Sequence, residues 1–261
     1  MVEFPNINPI ALDLGIIQIR WYAISYIAGI LLRWALILKI IKFKNLNIDK
    51  KVISELISNS MIGIIIGGRL GYVIFYNPEY FANNPIEIFK LWNGGMSFHG
   101  GFIGVIIAVI YTSKVSKIPI MVLADLIAIV SPIGIFFGRL ANFINGELYG
   151  RITNHSFGMI FPNGGNLPRH PSQLYEAFFE GLLLFIIILL FIQFTNILNK
   201  RGFITSLFIS CYGFFRFCIE FFREPDVHIG LIYFDFSMGQ LLSLPMIIIG
   251  LYFIILTSKK N

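Results

Sequence analysis

The run Ile127-Ala128-Ile129-Val130-Ser131-Pro132-Ile133-Gly134-Ile135-Phe136-Phe137 passes directly into Gly138-Arg139-Leu140-Ala141-Asn142-Phe143-Ile144-Asn145-Gly146-Glu147-Leu148-Tyr149-Gly150-Arg151. The first part carries no charge and suits a bilayer interior. The second gathers two arginines, two asparagines, a glutamate and three glycines within fourteen residues. An ionisable cluster at the end of a membrane helix is expensive to keep dry and is a functional-site candidate by default. A loop that merely anchors a helix end needs aromatic and basic residues. Asn142, Asn145 and Glu147 exceed that requirement.

Composition extends this reading to the whole chain. Of 261 residues, 56% are hydrophobic and only 13% charged, against about 25% charged in soluble domains. Mean hydropathy is +0.77. No soluble chain of this length hides so much apolar surface, so the sequence predicts an all-α integral membrane protein. Seven apolar stretches approach the roughly 17–25 residues that a bilayer demands. They cover residues 19–38, 53–75, 96–112, 120–137, 174–194, 203–222 and 236–256. The expectation is one transmembrane domain over 1–261, a bundle of about seven helices, with residues 138–173 forming a small cap on one membrane face. Met1 to Gln18 holds Glu3 and Asp13 but no Lys or Arg, unlike the positively charged start of a secretory signal. The first helix is therefore expected to be retained.

Charge sets the orientation. Lys39, Lys42, Lys44, Lys50, Lys51, Lys114, Lys117, Lys200, Arg201, Lys259 and Lys260 all fall in links on one side. The positive-inside rule makes that side cytoplasmic, which puts the N-terminus outside and the C-terminus inside. The net charge of +6 is thus a topology signal, and nucleic-acid binding is excluded. All four histidines, His99, His155, His170 and His228, fall on the opposite face. Cys211 and Cys218 lie roughly 10 Å apart on one helix at 1.5 Å per residue, too far for a disulfide.

Four segments on the outer face carry chemistry. Arg20-Trp21-Tyr22 opens the first span; it fits an aromatic belt, or a tyrosine that hydrogen-bonds a phosphate. Gly94-Gly95-Met96-Ser97-Phe98-His99-Gly100-Gly101 sets a histidine among glycines at a helix start. It fits close helix packing, an anion site, or a general base near neutral pH. In the opening cluster, Arg139 offers a fork suited to phosphate. Asn142 and Asn145 can orient a neighbour or a substrate oxygen, and Glu147 can pair with an arginine or take a proton. In Tyr212-Gly213-Phe214-Phe215-Arg216-Phe217-Cys218-Ile219-Glu220, Arg216 and Glu220 share a helix face, with Tyr212 one turn inward. Arg223 reads as an interface anchor. Arg69, inside the second span, needs a buried partner. In Pro168-Arg169-His170-Pro171-Ser172-Gln173-Leu174-Tyr175-Glu176, the residues from Pro171 to Glu176 read as a capped helix start, which leaves His170 unexplained. No metal-binding, serine-elbow or nucleotide-loop pattern appears. The set suits a phosphorylated, lipid-borne substrate; a transporter of lipids or organic anions is the other class it fits.

These motifs, in this order and across the whole chain, resemble the phosphatidylglycerol–prolipoprotein diacylglyceryl transferases of bacterial inner membranes. The segment from Gly138 to Gly150 resembles the family signature. Ala23 and Ala141 stand where many members have glycine. The resemblance implies transfer of a diacylglyceryl group from phosphatidylglycerol to the lipobox cysteine thiol of a prolipoprotein. The products are a thioether and glycerol 1-phosphate, in the first step of lipoprotein maturation. It implies no metal and no cofactor; its partners are phosphatidylglycerol, the lipobox peptide and bilayer lipids. By motif position, Tyr22, Asn142 and Gly150 resemble essential residues, and Arg139, Glu147, Arg216 and Glu220 an important polar set. His99, Tyr212 and His170 also match. On this reading Arg139 and Arg216 stabilise the leaving phosphate, His99 is the first candidate base and Glu147 the second. Glu147 otherwise orients an arginine, as Glu220 does Arg216. Asn142 and Tyr22 hold the headgroup, and Gly150 permits a turn.

Overall fold

A computed structural model describes residues 2–5, 7–15, 18–225, 230, 232 and 235–259, the side chains of Arg20 and Tyr22 excepted. Among these residues, eight principal helices and one small hairpin follow in order. Strands β1 (Ile10–Asp13) and β2 (Gln18–Arg20) pair antiparallel ahead of α1 (Trp21–Phe43). Then come α2 (Lys50–Phe75), the short α3 (Pro78–Asn83), α4 (Phe98–Ser116) and α5 (Ile120–Ile144). The last three are α6 (Ser172–Phe194), α7 (Phe203–Ile219) and α8 (Met238–Lys259). All but α3 and α7 are long and apolar enough to cross a membrane, and α7 is a shorter apolar helix. The chain is therefore a multi-pass, all-α integral membrane protein of about seven spanning helices. Exposed Ile27, Leu31, Ile62, Ile107, Ile248 and Leu251 give the helices apolar outer faces of the kind that lipid covers.

The helices differ from the predicted spans at several ends, α1 running on to Phe43 and α4 to Ser116, and two differences bear on the site. The hairpin is unexpected; its strands have four and three residues, too few for an alternation to register. The fourth span does not stop at 137. Leu140, Ala141 and Phe143 continue the apolar face, and α5 runs to Ile144 with Ala141 fully buried. Arg139 and Asn142 are thus helix residues, and the cap begins later than Gly138.

The chain divides into two compact units, one of Met1–Ala35 with Asp125–Asn261, the other of Leu36–Ala124. In the smaller unit α2 and α4 touch through glycine. A Cβ at Gly104 would land on the carbonyl of Gly63, and one at Gly100 on that of Gly67. Between membrane helices, packing rather than the hydrophobic effect drives association, so such close approach is the main source of contact energy. Ser97 caps α4 by accepting from the Gly100 N–H at 3.3 Å.

In the larger unit the start of α7 has no cap of its own. Asp125, buried on α5, supplies one: it accepts from Gly202 N at 2.7 Å, Thr205 N at 2.8 Å and Thr205 Oγ1 at 2.7 Å. Asp125→Ala strands these donors. Hydrogen bonds to charged groups contribute about 1.5–3 kcal/mol, so we expect a loss of about 2–3 kcal/mol, read as a lowered unfolding midpoint in detergent micelles. Asp125→Asn is expected to recover part of it.

Candidate active site

Helix α6 is the centre of the site. It begins regularly, then Ala177–Leu183 adopts the wider π pattern, a form that occurs mainly at functional sites. Glu176 precedes this segment and Glu180 lies within it; both are fully buried. Three arginines converge on them. From α5, Arg139 Nε lies 3.1 Å from Glu176 Oε2, and its Nη2 lies 3.7 Å from Glu180 Oε2. From α7, Arg216 Nη1 donates to Glu176 Oε1 at 2.7 Å and lies 3.6 Å from Glu180 Oε1. Just beyond α7, Arg223 Nη1 donates to the same Glu176 oxygen at 2.8 Å. Glu220, at the end of α7, pairs with Arg216 through Nη2 and lies 3.7 Å from Arg223 Nε. Ser237 Oγ donates to its other oxygen at 2.6 Å.

The three guanidiniums are matched in number by three carboxyl groups. The match is not a saturation of donors. Among the described residues, Arg139 Nη1 and Arg223 Nη2 have no partner, and neither oxygen of Glu180 accepts a hydrogen bond. Arginines in this state, partly exposed and rigidly braced, are prepared for a further anion.

Above α5 the chain turns back through Gly146 and Leu148, both with left-handed φ (65° and 58°). The turn is therefore not at Gly150, contrary to the expectation. Gly150 is needed for closeness: a Cβ there would strike Phe222 O and would come within 2.8 Å of His170 Cβ. Its N–H donates to His170 O at 2.8 Å. Among the described residues Glu147 pairs with no arginine. Its Oε1 accepts from Asn142 Nδ2 at 2.8 Å and Asn145 Nδ2 at 3.2 Å. The residues after Pro171 do not cap α6 either; Pro171 makes no side-chain cap bond. Ser172 and Gln173 instead donate to the carbonyls of Leu148 and Glu147, at 3.1 and 2.6 Å.

His170 is buried in the cap, its Nδ1 3.2 Å from the Tyr175 hydroxyl. Burial, and then the neighbouring His155, hold its imidazole below the usual range. Tyr212 lies one turn inward of Arg216 on α7 and stacks on Phe208 at 5.8 Å. His99, the second residue of α4, is exposed and belongs to the smaller unit. The Tyr22 side chain, Asp226 and His228 lie outside the described residues.

Sequence reasoning misses three members of the cluster. Glu176 reads as a first-turn residue, Arg223 as an interface anchor, and Glu180 draws no notice. Signals exist for the last two. Glu180 is an acid inside an apolar span, and Arg223 follows Arg216 by seven residues, two helical turns on one face.

The model of the family described as "Prolipoprotein diacylglyceryl transferase" matches residues 9–256. Proteins named phosphatidylglycerol–prolipoprotein diacylglyceryl transferase are similar over their whole length. That of Rickettsia bellii (strain OSU 85-389) is 53% identical over 260 residues, covering 100% of this chain and 99% of the relative. That of Rickettsia akari (strain Hartford) is 54% identical over 260 residues, covering 99% and 100%. That of Rickettsia conorii (strain ATCC VR-613 / Malish 7) is 53% identical over 259 residues. With a family match reaching from the first hairpin into α8, and more than half of all positions shared with these relatives, the chain belongs to the prolipoprotein diacylglyceryl transferase family.

Proposed function

We propose that the protein transfers the diacylglyceryl group of phosphatidylglycerol to the lipobox cysteine of a prolipoprotein, the first step of lipoprotein maturation. The observation that carries the mechanism is the trio of arginines braced on Glu176, two of them with unused donors. Sulfur forms a bond to the glyceryl carbon as the carbon–oxygen bond to phosphate breaks. Glycerol 1-phosphate leaves, and the thiol proton goes to a base. Arg139 and Arg216 meet the charge that develops on the departing phosphate. They do so in a place of low dielectric, where preorganised donors count most. Asn142, held by Glu147, and Asn145 face the headgroup with Tyr22 and Tyr212. Gly150 and His170 hold the cap in register against Arg223, and Glu220 braces Arg216. His99 takes the thiol proton; a thiol with pKa near 8.5 needs such help at neutral pH.

The whole chain is read as one transmembrane domain of the bacterial inner membrane. Its N-terminus is outside, its C-terminus is cytoplasmic, and the site opens toward the periplasm. The side bearing Lys39 to Lys51, Lys114, Lys117, Lys200 and Arg201 supports that orientation. The acyl chains stay in lipid, so the donor enters laterally.

The test combines purified protein, phosphatidylglycerol and a lipobox peptide. The peptide is expected to gain the mass of one diacylglyceryl group; a peptide that stays unmodified overturns the reading. Arg139→Ala and Arg216→Ala are each expected to lower turnover about 10²–10³-fold, the usual cost of one transition-state donor. Full turnover in either refutes the phosphate clamp.

A further inference from the structure

Among the described residues Arg69 forms a second buried guanidinium system, one that no carboxylate touches. It sits on α2 with 5% of its surface exposed, over the Phe81 ring at 5.1 Å. All five of its N–H donors go to backbone carbonyls of one segment. Nε donates to Ile88 O at 2.9 Å. Nη1 donates to Gly94 O and to Gly95 O, the latter at 3.1 Å. Nη2 donates to Glu87 O at 2.5 Å and Lys90 O at 3.3 Å. The nearby Glu87 carboxylate is taken up by Lys90 and Asn93 instead. These carbonyls lie at the ends of two short 3-10 turns, Pro85–Phe89 and Leu91–Asn93. Carbonyl oxygens carry partial negative charge, and those of Glu87 and Lys90 accept from Arg69 in addition to the backbone N–H groups of Lys90 and Asn93. They solvate the cation, and the cation fixes them.

The segment so held leads straight into α4. Gly94 and Gly95 turn it with φ of 78° and 82°; the Tyr72 ring packs where any Cβ at Gly95 would go. Ser97 N then donates to Gly68 O at 2.8 Å, and Ser97 caps α4. Two adjacent residues of α2, Gly68 and Arg69, thus fasten the chain from Glu87 to Ser97. His99 follows two residues later. Among the described residues its ring makes no hydrogen bond, and its one aromatic contact is Phe98, at 5.8 Å. With no hydrogen bond to hold the ring, its location follows the backbone at the start of α4.

We propose that Arg69 is a positioning residue for His99: its five carbonyl bonds fix where α4 begins and so where the base stands. The proposal rests on the reading of His99 as the base. Displacing a catalytic group by about 1 Å costs on the order of 100-fold. Arg69→Met is expected to lower kcat about 100-fold, with KM for phosphatidylglycerol changed less than about threefold. Arg69→Lys keeps the charge and some of the bonds, and is expected to recover about tenfold of that loss.

The deciding experiment is a double-mutant cycle with His99→Gln, measured as peptide lipidation in phosphatidylglycerol vesicles. If Arg69 acts through His99, Arg69→Met costs less than about threefold once His99 is gone. An equal loss in both backgrounds overturns the positioning role and leaves the base reading standing. Wild-type turnover in His99→Gln overturns the base reading and the proposal with it. Should Arg69→Met fail to insert or fold, the same cycle run with Arg69→Lys decides.

Discussion

Glu176→Gln is expected to lower diacylglyceryl transfer at least about 100-fold and to destabilise the protein by about 3–5 kcal/mol, the cost of removing one partner from a buried ion pair. The size follows from how much one carboxylate does. One oxygen accepts from Arg216 and Arg223, at and just beyond the end of α7, and the other lies 3.1 Å from Arg139 of α5, so two separate stretches of chain meet on it. Glutamine has the same shape, so no cavity forms. It holds no charge, and its amide nitrogen would face a guanidinium. Arg139 would then be left with Glu180 at 3.7 Å, a distance too long for a good hydrogen bond, and Arg216 with Glu220 and, at 3.6 Å, Glu180. Rates with the lipobox peptide and an unfolding curve in the same detergent measure the two effects. A variant with wild-type rate and midpoint would show that the three arginines are ordered without Glu176.

The second large effect concerns glycine. Gly104→Val is expected to destabilise the smaller unit by about 3 kcal/mol, at the upper end of ordinary overpacking, and to lower the yield of folded protein. The new side chain meets the main chain of Gly63, which has no rotamer to give way. The helices must part, and in lipid the lost contact is not replaced by a hydrophobic gain. Gly138→Ala is the counter-case. It lies in the most distinctive stretch of the sequence, yet a Cβ there meets nothing within 4 Å. Alanine is about 0.8–1 kcal/mol better than glycine inside a helix, so the unfolding midpoint is expected to stay or rise. Equal losses in the two variants would show that glycine is required for some reason besides close approach.

Much of this architecture is readable from the chain. Spans announce themselves because hydrocarbon imposes one length and one polarity, and the stretches from Ile53 to Phe75 and from Leu174 to Phe194 fall within α2 and α6. Arg139, Arg216 and Glu220 are legible because a charge inside an apolar run is costly and is kept there for a task. What escapes is pairing between distant segments. Glu176 looks like a first-turn acid because local sequence offers capping as a sufficient reason, and the convergence of α5 and α7 upon it leaves no local mark. Arg69 is expected to find a buried partner; that the partners are five carbonyls is invisible in side-chain types. Gly150 reads as a bend, whereas the left-handed residues are Gly146 and Leu148. Proximity of Phe222 and His170 is a tertiary fact.

The wide coil at Ala177–Leu183 makes α6 a helix with two registers. Upstream, the helix is phased so that Glu176 meets the arginines; downstream, Leu184, Ile188 and Ile192 are phased to the buried side. A uniform ladder cannot serve both, since one residue fewer turns one half against the other by about 100°. The spacing between Glu176 and Leu184 is therefore a functional quantity in its own right: an insertion or deletion within it misphases one half of the helix whatever side chains it carries.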